Sequence, residues 1–133
     1  MKKIIFIILV FLVAFQTVGS SQNNKKEVKI KAETATTDSL EYSLIIIDPG
    51  FDAWLVTQPP EDFYSDDYYA IKNRLYVTEW NRRYETMNNR GLYEDYIDYR
   101  PNIDYGLDLN YKLFYYFEYF EHTNHIKLLN DIR

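Results

Sequence analysis

Asp48 and Asp52 flank a Pro49-Gly50 turn, and Glu79 follows inside a helical pattern. Paired carboxylates can divide acid and base work when one is held protonated and the other ionised. The three acids therefore define one alternative, a small hydrolase or glycan-processing enzyme. They also have structural uses, with Asp48 capping the turn and Asp52 opening a short helix. His122 and His125 are the chain's two histidines, with Glu118 one helical turn earlier. If the helix ran through Asn124, Glu118, His122 and His125 would share a face and could offer oxygen and nitrogen to zinc. Asn124 reads as a helix stop, and structural zinc sites usually include cysteine, which is absent here. No metal or other cofactor is expected.

Asn102, Asp104, Asp108 and Asn110 alternate around Gly106, faintly like a calcium loop. The glycine comes one place early, and Leu113 stands where the closing acid belongs. Turn and cap roles suit these residues better. Cysteine nucleophiles, a G-x-S-x-G turn and a glycine-rich phosphate loop are all missing from the sequence. What remains is aromatic. All 14 tyrosines fall between Tyr42 and Tyr119, together with both tryptophans, Trp54 and Trp80. Rings beside Asp, Asn and Arg can stack on sugars or supply contact area at low entropy cost. Tyr93, Tyr96, Tyr99 and Tyr105, with the stripe Tyr111, Tyr115 and Tyr119, are thus the candidate binding surface.

The elements that must position these groups can be read from periodicity. Residues 40–48 form the clearest strand: Leu40, Tyr42, Leu44 and Ile46 share a face, while Ile45 and Ile47 make the other face apolar at its end. Phe51–Gln58 reads as a short helical turn before Pro59-Pro60. Ser65 is placed to cap a long helix over about 65–89, with Asp66 and Asp67 in its first turn and Tyr64 and Tyr69 at staple spacing. Residues 92–107 fit no regular pattern. A second, aromatic helix spans about 108–122. Leu109, Leu113, Tyr116, Phe117 and Phe120 line one face, and Tyr111, Tyr115 and Tyr119 line another. Residues 125–129 are a candidate partner for the first strand, or a further helical turn.

The chain begins with Lys2 and Lys3, an apolar run from Ile4 to Phe15, and then Val18, Gly19 and Ser20. This order reads as a secretory signal peptide over 1–20, cut near Ser20. The run is shorter than the roughly 20 residues that cross a bilayer as a helix, so membrane association is expected only if the segment is retained. Residues 21–39 are polar and read as a flexible tether, although Val28 and Ile30 alternate with lysines as a short edge strand would. Removing 1–20 takes two lysines and no acids, moving the net charge from −5 to −7. An acidic chain without a basic cluster argues against nucleic acid as partner. With no cysteine, disulfides cannot contribute to stability.

Three stretches carry a resemblance: Ile45 to Trp54 (IIIDPGFDAW), Tyr76 to Arg82 (YVTEWNR) and Ile103 to Phe117 (IDYGLDLNYKLFYYF). Over about residues 40–122 the chain resembles a family of small exported bacterial envelope proteins known only as a domain of unknown function. Members often look like lipoproteins; here Ser20 and Ser21 stand where the acylated cysteine would be. The resemblance brings no activity and no catalytic residues.

These readings combine into an α+β domain over residues 40–133 behind a signal peptide and tether. Its expected role is a non-enzymatic exported envelope protein, periplasmic or envelope-bound, that meets a protein or glycan through its tyrosines. Oligomeric state is left open.

Overall fold

The computed structural model describes residues 26–36, 39–86 and 91–130. The expected signal peptide, and residues 87–89 of the expected long helix, lie outside the described residues. The fold is a small α+β arrangement in which a β-hairpin packs against two main helices.

Strands β1 (Glu27–Thr36) and β2 (Ser39–Ile47) pair antiparallel, from Glu27 opposite Ile47 to Thr34 opposite Leu40. Two expectations change here. Residues 27–36 of the supposed tether are a strand, and this strand, rather than residues 125–129, is the partner of β2. The weak alternation of Val28 and Ile30 suffices because each meets an apolar residue across the ladder, Ile46 and Leu44. Val28 is buried, and Ile30, Leu44 and Ile46 pack on the same core. Residues 126–130 form an irregular tail instead.

After β2, the Asp48 carboxylate accepts the Gly50 N–H at 3.2 Å and turns the chain into the short helix α1 (Phe51–Leu55). A single 3-10 turn (Glu61–Phe63) leads to α2 (Asp66–Thr86). The Ser65 hydroxyl accepts the Tyr68 N–H at 3.2 Å, and the Tyr64 and Tyr69 rings meet edge to face at 5.8 Å. The expected cap and staple are therefore both present. Helix α3 (Leu107–Asn124) begins after Gly106, whose φ of 80° favours glycine and whose N–H is held by Asp104. It ends at His125, a left-handed residue donating its N–H to the Glu121 carbonyl.

The core lies where α3 crosses α2 and the hairpin. Phe117, Leu113, Trp80, Tyr69 and Ile97 are almost fully enclosed. Tyr76 stacks on Phe117 at 4.9 Å, and Trp80 meets Phe120 edge to face at 4.7 Å. Offset and edge-to-face pairs add about 0.5–1.5 kcal/mol each beyond the area they bury. Residues 92–106, unassignable by pattern, are pinned to α2 by side chains. Asn81 donates to the Ile97 carbonyl at 2.8 Å and accepts its N–H at 2.9 Å, while the Trp80 indole N–H reaches the Asp95 carbonyl at 2.8 Å.

Candidate interaction surface

The tyrosine surface expected from the sequence is mostly interior. Tyr93, Tyr105, Tyr111, Tyr115 and Tyr119 are buried and Tyr99 is half-buried; Tyr96 alone of the seven is open, at 52 % exposure. The two stripes of α3 both find cover. Tyr116 and Phe117 face Trp80 of α2, while Trp54 of α1 lies against Tyr115 and Tyr119 and Tyr111 meets Tyr69. Several hydroxyls are satisfied inside the chain: Tyr111 donates to the Pro59 carbonyl at 2.9 Å, Tyr99 to Asn110 at 2.8 Å, and Tyr119 to Asp48 at 3.0 Å. Burial, followed by the bond to Asp48, pushes the Tyr119 phenol up to about 12. Burial also raises Tyr99 to about 12, and Tyr76, Tyr115 and Tyr116 further. None of these phenols ionises near neutral pH.

The three candidate acids are separated in use. Asp48, with 7 % of its side chain exposed, takes the Tyr119 hydroxyl, the Gly50 N–H and the Lys26 ammonium at 3.4 Å. Asp52 is exposed on α1. Glu79 lies on α2 with both oxygens engaged by Arg82, at 2.7 and 2.8 Å, and one also by Arg83 at 2.6 Å. Hydrogen bonds from Arg82 and then Arg83, against a desolvation cost, bring its carboxyl down to about 2. Glu79 is therefore ionised at neutral pH and cannot serve as a proton donor.

The three candidate metal ligands line one depression of about 440 Å³ with Trp54, Glu121, Ile126 and Lys127. Two of the three have other contacts. Glu118 accepts a short hydrogen bond from the Tyr76 hydroxyl, and the His122 ring stacks on Trp54 at 6.3 Å. Among the described residues, no cluster of three His, Cys, Asp or Glu side chains is arranged to hold a metal ion.

What the fold does build is a groove between α2 and α3, closed at one end by the tail 127–130. It encloses about 780 Å³. Lys72, Arg82, Arg83 and Lys127 line it with Glu79, Glu118 and Glu121, so basic groups outnumber acids there although the whole chain is acidic. Leu75, Tyr76 and Leu129 supply apolar wall. Arg83 organises this end: it binds Glu79, the Tyr93 hydroxyl at 2.8 Å and the Lys127 carbonyl at 2.8 Å. Glu121 holds the tail from the other side, accepting the Leu128 N–H at 2.6 Å. Arg83 and Glu121 were not among the site residues expected from the sequence, because the tail that engages both lies remote from α2 in the chain and only the fold brings it there.

The family of unknown function DUF6146 matches residues 4–132. The chain belongs to the DUF6146 family. The match takes in the N-terminal apolar run as well as the folded region, a wider span than the resemblance over about 40–122. No curated protein and no solved structure matches this chain. Among the described residues, no helix is long and apolar enough to cross a membrane.

Proposed function

We propose that this DUF6146 protein is exported to the cell envelope and acts there as a non-enzymatic binding module. The α2–α3 groove is its working surface, and a carboxylate-bearing protein loop or glycan is its partner. One observation carries this reading: the groove concentrates Lys72, Arg82, Arg83 and Lys127 on an otherwise acidic chain. Arg82 and Lys127 are ion-paired with Glu79 and Glu121 yet keep more than half their side-chain surface open, so an incoming acid reaches them by competing with those two glutamates. The state of Glu79 removes it as the proton donor of the hydrolase alternative, since an acid fixed by two guanidiniums lacks the proton a leaving group needs. Export is supported by the positive start and apolar run of residues 2–15.

Calorimetric titration with a panel of acidic peptides and uronate-containing oligosaccharides tests the groove. Saturable binding that weakens at least tenfold in a Lys72→Glu, Arg82→Glu variant supports it. Failure of both panels, or binding indifferent to the charge reversal, removes the groove as the working surface. Mass spectrometry of the N-terminus recovered from the envelope fraction tests export separately; an intact Met1 on cytoplasmic protein would contradict it.

A further inference from the structure

Among the described residues the sheet has only β1 and β2, so each strand presents one edge to which no further strand is paired. A hairpin this small is marginal alone and is held here by packing on α3. The two edges differ chemically. β1 carries Glu27, Lys29, Lys31 and Glu33 at every second position, the charge spacing that discourages further pairing. β2 carries a single formal charge, Glu41, and contains neither proline nor glycine. It is also apolar on both faces. Leu44 and Ile46 pack on the core, whereas Ile45 and Ile47 project from the opposite face beside Lys29 and Glu27. Leu40 is 62 % exposed and Ile47 48 %. A strand of this composition is suited to the interior of a sheet, yet it stands at an edge.

We propose that β2 is a homotypic docking edge, on which a second copy of this chain pairs its own β2 antiparallel to make one four-stranded sheet. Full overlap of Ser39–Ile47 with its copy places the two-fold axis at Ser43. Tyr42 then stands opposite Leu44 and Leu40 opposite Ile46, so the exposed Leu40 gains an apolar neighbour, while Ile45 stands opposite Glu41. A slip of one residue would exchange the faces and set the core-facing set of one copy against the outer set of the other. Charge agrees with this occupant. The two Glu41 side chains end about 14 Å apart along the sheet, beyond the screening length at physiological salt. The pairing uses the hairpin alone and is independent of the α2–α3 groove.

The chain has no native cysteine, so a single Ser43→Cys substitution reports on the two-fold directly. Full-length Ser43→Cys protein is oxidised in intact cells and run on a non-reducing gel, with Thr78→Cys on the exposed side of α2 as the collision control. The expected result is a covalent dimer forming from Ser43→Cys much faster than from Thr78→Cys. Sedimentation of the purified wild type should give twice the chain mass, and Leu40→Lys, which alters an exposed side chain, should return it to a single chain mass. A wild type that stays monomeric at every concentration overturns the proposal. Cross-linking of Ser43→Cys no faster than the control overturns it too, and would be the outcome if the N-terminal apolar segment covered this edge instead.

Discussion

Tyr119 distinguishes an aromatic interior from an aromatic surface more sharply than any other residue of the stripe. It is 7 % exposed, its ring lies 5.7 Å from Phe51 and 5.5 Å from Trp54, and its hydroxyl binds Asp48. Tyr119→Phe removes only the hydroxyl. Asp48 retains the Gly50 N–H and Lys26, so the loss is that of one hydrogen bond to a charged acceptor, about 1.5–3 kcal/mol. For a domain of this size that lowers the melting temperature by about 6–24 °C. Tyr119→Ala also empties the ring's place among Phe51, Trp54 and Tyr115, costing about 3–5 kcal/mol more. Total stabilities run to about 5–15 kcal/mol, so the alanine variant should be close to unfolded at ambient temperature. Tyr96→Ala is the control: this ring is half exposed, and its loss should cost under about 1 kcal/mol. Urea titrations followed by near-ultraviolet circular dichroism measure all three. If Tyr119→Ala melts within a few degrees of Tyr96→Ala, the stripe is not core and the account of α3 fails.

Other expectations follow from the ties between elements. Arg83→Ala should cost about 2–3 kcal/mol and speed amide exchange at Leu128, whereas Arg83→Lys should recover little, because an ammonium cannot reach Glu79, Tyr93 and Lys127 as the planar fork does. Asn81→Ala leaves the Ile97 N–H without its partner and its carbonyl with the Tyr99 N–H alone; it should cost about 1–3 kcal/mol and expose residues 94–100 to limited proteolysis. Glu79 gives a pH test. Its folded carboxyl is depressed from 4.5 to about 2, so its contribution is complete above the unfolded value and is lost as pH falls through that interval. Urea midpoints of wild type and Glu79→Gln should therefore converge between pH 5 and pH 2; a constant difference across that range would contradict the assignment.

Local signals in the sequence proved legible where one stretch of chain decides its own conformation. The Ser65 cap, the Tyr64–Tyr69 staple and the Asp48-Pro49-Gly50 turn each act within a few residues, and each is present. β1 was harder to read. Its four charges imitate a solvated tether, and only the ladder to β2, with Val28 against Ile46 and Ile30 against Leu44, turns two apolar residues into a buried face. The candidate groove was less legible still. Glu79 and Glu118 were visible as acids, but the bond from Tyr76 to Glu118 joins α2 to α3, and that from Arg83 to the Lys127 carbonyl joins α2 to the tail.

Residue types and their short-range spacing were enough for an α+β chain with two principal helices, a strand running into the Asp48 turn, no disulfide chemistry and an unusual load of aromatic rings. Those properties follow from residue type and short-range periodicity. Only the tertiary structure decided which side of the aromatic helix is covered. A helix that is apolar nearly all round specifies that its faces be buried without specifying by what. Here α2, α1 and the hairpin together enclose it, so the rings become interior packing and the open chemistry passes to the ion-paired α2–α3 groove and a strand edge with one formal charge.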